Sequence, residues 1–221
     1  MDIALIIPAY NEAETIEEVI NTAKNTNLFS EIVVVSDGST DDTVQCAKRC
    51  GVETIALADN QGKGAAMAVG VENTTSEIVL FLDGDLVNLR AIHIKKLLEP
   101  IINNQVDMTC GIFNQGRDHT DFAQKITPWL TGQRALRRKQ IENCTDLGQS
   151  KFGAELSLTK VAIEEELTVK KIELEGLTHK TKEEKIGLLK GFIARMKMYW
   201  EVFNYFRQHN LTYDSLSAVL E

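Results

Sequence analysis

The chain has 221 residues, 32 acidic and 24 basic side chains and a formal net charge of −8. That length suits one large α/β domain or a domain with a helical tail, and the acidic balance excludes a nucleic-acid binder that works by charge alone. No window of about 18 uncharged apolar residues occurs, so no segment is expected to span a membrane.

The start, Met1-Asp2-Ile3-Ala4-Leu5-Ile6-Ile7, has no basic lead and soon meets Pro8, so it reads as a strand rather than a leader. A helix is expected after Asn11, running to about residue 26. EIVVVS over 31–36 is a second buried strand. It breaks at Asp37-Gly38-Ser39-Thr40-Asp41-Asp42, and a helix follows over 42–49. A short strand over 52–57, a loop Asp59-Asn60-Gln61-Gly62-Lys63-Gly64 and a helix to residue 72 come next. Then IVLFL over 78–82 runs without a polar break, the mark of a central strand buried on both faces. Asn88 is the expected cap of a helix to residue 102, with a strand over 106–113 after it. Such alternation predicts a mostly parallel, doubly wound sheet with helices on both faces.

Beyond residue 113 the pattern loosens. NQGRDHTD over 114–121 reads as a polar loop, QRALRRKQIE over 133–142 as a basic helix and 152–166 as another helix. Residues 169–174 alternate like an edge strand. Residues 182–208 carry apolar side chains at helical spacing and read as one long amphipathic helix. The expected organisation is a catalytic-type domain over 1–175 and a helical extension over 176–221. Cys46, Cys50, Cys110 and Cys144 match no zinc or redox spacing and read as small buried thiols of a reduced, cytoplasmic protein.

Chemistry concentrates where strands end. Asp83-Gly84-Asp85 places two carboxylates at the carboxyl end of the central strand, where open α/β sheets bind ligands. Two such charges about 4 Å apart repel by roughly 4 kcal/mol at an effective dielectric near 20. A hard divalent cation, Mg²⁺ or Mn²⁺, removes that cost. On the same rim, Tyr10 offers a ring to a flat base, and Glu12 and Asp37 offer acceptors to base or ribose donors. Gly62-Lys63-Gly64 is not a Walker loop, because Leu57 stands where the first glycine belongs and Ala65-Ala66 follow. It leaves Lys63 at a helix start as an anion contact.

Taken together and in order, IIPAYNEAETI, VVVSDGSTDDT, NQGKGAAMAVG and FLDGDL resemble the nucleotide-sugar half of glycosyltransferase family 2 enzymes with the GT-A fold. The resemblance implies a metal-dependent glycosyltransferase moving a sugar from a UDP- or GDP-sugar to a hydroxyl or phosphate acceptor. It gives Asp37 the nucleobase or ribose, and Asp83 and Asp85 the divalent cation on the diphosphate. Pro8, Ala9, Tyr10 and Glu12 line the nucleoside pocket. Thr131-Gly132-Gln133-Arg134 resembles the acceptor segment of polyprenyl-phosphate sugar transferases, which gives Arg134 a phosphate to meet. Phe152-Gly153-Ala154-Glu155-Leu156 resembles a segment of glucosyl-phosphoglycerate and mannosylglycerate synthases. It turns Glu155 toward the sugar or acceptor, as general base for a hydroxyl. A histidine at a comparable place completes the metal shell in those synthases, which nominates His179.

Two other classes share parts of this pattern: a haloacid-dehalogenase-like phosphatase and a nucleotide-binding module without turnover. The chain departs from polyprenyl-phosphate transferases in lacking transmembrane helices. The amphipathic tail suits packing on its own domain, on a second copy in a homodimer, or on the inner face of a membrane.

Overall fold

The computed structural model describes residues 1–114, 131–144, 146–149, 154–179 and Arg207. The polar loop expected after residue 114 and the long helix expected over 182–208 lie outside the described residues.

The chain opens with β1 (Ile3–Ala9), buried at every position. Then come α1 (Ile16–Lys24), β2 (Glu31–Ser36), α2 (Thr43–Arg49), β3 (Glu53–Ala56) and α3 (Lys63–Glu72). Next are β4 (Ile78–Phe81), the two-residue β5 (Leu86–Val87), α4 (Ala91–Ile102) and β6 (Met108–Asn114). After the gap follow β7 (Arg134–Arg137), α5 (Arg138–Glu142), a 3₁₀ turn (Leu147–Gln149), α6 (Ala154–Glu164), β8 (Val169–Glu175) and β9 (Thr178–His179).

Seven strands form one sheet in the order β3-β2-β1-β4-β7-β6-β8. All pair in parallel except β7, which runs antiparallel to both β4 and β6. β8 is the outer strand beside β6, and its alternating burial leaves Lys170, Lys171, Glu173 and Glu175 in solvent. β5 and β9 form a separate two-stranded ribbon. Residues 178–179 therefore pair with the body of the domain rather than with a tail.

Strand periodicity sorts the core into two layers. Leu5, Ile7, Ile78 and Leu80 face α1 and α4, packing on Ile16, Val19, Ile20, Ile94, Leu97 and Ile101. Ile6, Val79 and Phe81 face the other way, onto Met67 of α3 and onto Leu158 and Val161 of α6. The uninterrupted apolar runs follow from burial on both faces. Gly70 brings α3 very close to β1: a Cβ there would collide with Ile6 Cγ2. The four cysteines are free; Cys46, Cys110 and Cys144 are buried and Cys50 half-buried.

The structure corrects the basic helix expected over 133–142. Residues 134–137 are strand β7, and only 138–142 are helical. Ala, Leu, Arg and Lys are good helix formers, but propensity is a weak preference. The slot between β4 and β6 supplies strand partners on both sides and outweighs it. Arg137 and Arg138 lie far from the carboxyl ends of the parallel strands. Arg137 pairs with Glu77 at 2.6 Å, and Arg138 donates to the carbonyls of Ser76 and Val71. Asn88 precedes the start of α4 in a left-handed turn at φ 62°, so the cap falls to Arg90 instead.

Candidate active site

Three loops leave the carboxyl ends of β1, β2 and β4 and are laced into one rim. The Asn11 amide donates to Ser39 Oγ at 3.1 Å, and Asn11 Oδ1 accepts from the Thr40 amide at 2.8 Å. The Glu12 amide donates to Thr43 Oγ1 at 2.8 Å. Asn11 takes φ 58°, a conformation asparagine tolerates well, which lets the chain reverse after β1. Thr15 ties the third loop in by donating to the Gly84 carbonyl at 2.7 Å. A Cβ on Gly84 would stand 3.2 Å from Ala9 Cβ and 3.4 Å from Glu12 Cγ. The glycine of Asp83-Gly84-Asp85 thus lets that turn rest directly on the Pro8–Glu12 loop.

Within this rim Pro8 and Ala9 are buried in the last positions of β1, Glu12 is half-buried and Tyr10 is exposed. Asp37 is buried, and both its oxygens are engaged. Oδ1 accepts from the Gln61 amide at 2.7 Å and Oδ2 from the Gly62 amide at 2.9 Å. Gly62 has φ 100° and immediately precedes α3. Asp37 therefore anchors the start of the helix whose first residue is Lys63. This anchoring duty is absent from the sequence-based expectation for Asp37.

Lys63 reaches across the rim. Its ammonium lies 2.5 Å from Asp83 Oδ1 and 2.5 Å from Glu155 Oε1. Asp83 Oδ2 accepts from Gln133 Nε2 at 2.8 Å, and Gln133 Oε1 in turn accepts from Thr131 Oγ1 at 2.9 Å. Burial disfavours charge on Asp83, but Lys63, Gln133 and His179 outweigh it and hold the carboxyl below its usual range. Burial likewise opposes the charge on Lys63, yet Asp83 and Glu155 raise its pKa well above the ordinary lysine value. Gly132 makes room for this cluster: a Cβ there would run into Lys63 Nζ and both Asp83 oxygens.

Asp85 is half-buried two residues beyond Asp83. His179 is exposed and stands opposite Leu86 in the β5–β9 ribbon, with its ring 5.4 Å from that of Phe113. The structure thus brings His179 beside the Asp-Gly-Asp turn. Among the described residues, no three His, Cys, Asp or Glu side chains converge into a ready-made metal cage. Two hard carboxylates at a strand end suit a cation that also takes oxygens from a bound phosphate, the usual habit of Mg²⁺. An ammonium already sits on one of those carboxylates, which marks the spot as one where positive charge is favoured.

Glu155 lies in the first turn of α6, mostly buried, with its carboxylate directed at Lys63. Arg134 does not line the rim. It is 1% exposed and points under α6, donating to Thr159 Oγ1 at 2.9 Å and to the Thr131 carbonyl at 3.0 Å. Thr159 Oγ1 donates to the Glu155 carbonyl at 2.8 Å, so Arg134 braces the helix that carries Glu155. The expected phosphate contact gives way to this packing role, because β7 turns the side chain toward the α6 layer. Gln133 and Gly132 carried no role of their own in the sequence reading; their signal was the Thr131-Gly132-Gln133-Arg134 segment, in which Arg134 alone was singled out.

A family model described as Glycosyl transferase family 2 matches residues 4–158. The chain is 32% identical over 121 residues to Protein RfbJ of Shigella flexneri, a match covering 55% of this chain and 92% of RfbJ. It is 30% identical over 176 residues to glucosyl-3-phosphoglycerate synthase of Mycolicibacterium smegmatis, covering 72% of this chain and 58% of that protein. It thus spans somewhat over half the length of the synthase. A crystal structure of glucosyl-3-phosphoglycerate synthase from Mycobacterium tuberculosis, in complex with Mn²⁺, uridine diphosphate and glucosyl-3-phosphoglycerate, shares the fold. The TM-score is 0.75 at 21% identity, over 92% of this chain and 79% of that one.

Proposed function

The chain belongs to glycosyl transferase family 2, and from that premise we propose that it moves a sugar from a nucleoside-diphosphate donor to a hydroxyl or phosphate acceptor, with Mg²⁺ or Mn²⁺ as cofactor. The observation that carries this reading is the cluster of Asp83, Lys63 and Glu155 at the carboxyl end of β4, beside the laced loops after β1 and β2.

Asp83 and Asp85 would hold the cation, with His179 beside them. The bound cation would stabilise negative charge as it builds on the leaving diphosphate. The other duties fall to the chain itself. Tyr10 is 46% exposed and offers its ring to the base. Pro8, Ala9 and Glu12 form the floor beneath it, and Asp37 fixes the position of Lys63. Glu155 faces the transferred sugar and accepts the proton of a hydroxyl acceptor, whereas a phosphate acceptor is already ionised and needs no base. Arg134 holds the helix that aims Glu155.

No helix among the described residues is long and apolar enough to cross a membrane. The free thiols suit a reducing compartment, so the cytoplasm is the proposed location.

Calorimetry of the full chain against UDP-glucose and GDP-mannose, each with and without Mn²⁺, tests the reading. One donor is expected to bind in a metal-dependent manner. Asp83→Asn is expected to weaken that binding by at least about tenfold, the lower end of the loss from disturbing groups around a bound metal. Donor binding indifferent to both Mn²⁺ and Asp83→Asn refutes the metal site. Tight binding with neither transfer nor hydrolysis would mark a nucleotide-binding module instead.

A further inference from the structure

Lys63 occupies an unusual position for a residue expected to contact a bound anion. Its ammonium bridges Asp83 and Glu155, carboxylates from the turn after β4 and from α6 that lie 72 residues apart in the chain. Asp83 consequently has both oxygens satisfied by the protein, one by Lys63 and the other by Gln133. The base of the lysine is fixed, because the two amides just before it are held by the buried Asp37 carboxylate. Its head is a point charge on a flexible four-carbon stem. Gly132 adds no side chain beside that head, where a Cβ would collide with it.

We infer that Lys63 is a displaceable internal counter-ion that blocks Asp83 to a divalent cation until the cation arrives together with a nucleoside diphosphate. The inference rests on the proposed metal role of Asp83. A cation arriving alone must push Lys63 off Asp83 and gains only one or two carboxylates in return. A cation arriving with a diphosphate also gains phosphate oxygens, and the displaced ammonium finds a new anion at once. Lys63 thereby makes metal capture conditional on the donor, a coupling between two ligands at one site.

The test is Mn²⁺ binding to the full chain, followed by electron paramagnetic resonance, with and without UDP. The parent protein is expected to bind Mn²⁺ weakly alone and far more tightly with UDP. Lys63→Met is expected to bind Mn²⁺ alone about tenfold tighter or more, and to lose a similar factor from the enhancement by UDP, within the 5- to 150-fold range usual for coupled ligands. Lys63→Gln, which retains hydrogen-bonding capacity, is expected to shift in the same direction and replaces Lys63→Met if that variant fails to fold. Lys63→Arg, which retains the charge, is expected to bind Mn²⁺ alone as weakly as the parent. Unchanged or weaker Mn²⁺ binding in both neutral variants overturns the inference, provided Asp83→Asn abolishes Mn²⁺ binding with UDP. If Mn²⁺–UDP binding survives Asp83→Asn, the proposed metal site itself fails and the inference falls with it.

Discussion

Replacing Asp37 by Asn separates a ligand-binding role from the anchoring role the structure gives it. The side chain is 3% exposed and accepts two backbone hydrogen bonds, from Gln61 at 2.7 Å and Gly62 at 2.9 Å. An asparagine can accept only one of them, and its amide then turns a donor toward the other N–H. Hydrogen bonds to a charged group are worth about 1.5–3 kcal/mol each, and a buried donor left without a partner costs about 1–3 kcal/mol. Losing one bond outright and weakening the other therefore predicts a destabilisation of about 2–4 kcal/mol. For a chain of this size about 1 kcal/mol lowers Tm by roughly 2–4 °C, so a drop of about 5–15 °C is expected. Urea denaturation and thermal melting, both without ligand, measure it. A ligand-free stability within about 0.5 kcal/mol of the parent would refute the reasoning and leave Asp37 with a ligand-binding role alone.

Gly70→Ala drives a methyl group into Ile6, which is fully buried and has nowhere to move, so a loss of about 1–3 kcal/mol is expected in urea denaturation. Measured in an Ile6→Ala background, which lacks the Cγ2 methyl that the new Cβ meets, the cost of Gly70→Ala is expected to be smaller. Glu31 joins β2 to the turn before β4 by accepting from the Thr75 and Ser76 amides and the Ser76 hydroxyl. Burial raises its pKa, but these donors and Arg138 outweigh that and hold the folded value below the ordinary 4.5. Its contribution to stability is thus fully present above about pH 4.5 and is lost as pH falls through the lower folded value. Glu31→Gln is expected to narrow the stability difference between pH 7 and pH 3.5, and an unchanged difference would count against this assignment.

The first half of the chain was legible because its physics is local. Buried runs such as IALII at 3–7 and IVLFL at 78–82 leave few alternatives to a central strand; Asp83-Gly84 turns the chain straight after the second, and Asn11 turns it shortly after the first. The Asp-Gly-Asp turn announced a charged strand end by composition alone. What failed depended on partners distant in sequence. β7 reads as helix because nothing within 133–142 reveals that β4 and β6 will flank it. Arg134 reads as a phosphate contact because Thr131-Gly132-Gln133-Arg134 resembles an acceptor segment, and only the packing of α6 over β7 buries it. Lys63 was identified as a charge at a helix start. Its pairing with Asp83, 20 residues on, and Glu155, 92 residues on, was beyond reach of any local pattern.

The reversed strand in the middle of the sheet also sets an order of events during synthesis. β4 is complete at Phe81, but its outer neighbour begins only at Arg134. At about 5–20 residues per second, the ribosome needs several seconds to make the intervening chain. Through that interval the nascent β1–β4 half carries an unpaired strand edge, the kind of surface on which growing chains stick to one another. β4 is only four residues long, which keeps that edge short. Its brevity serves the half-made polypeptide as well as the finished sheet.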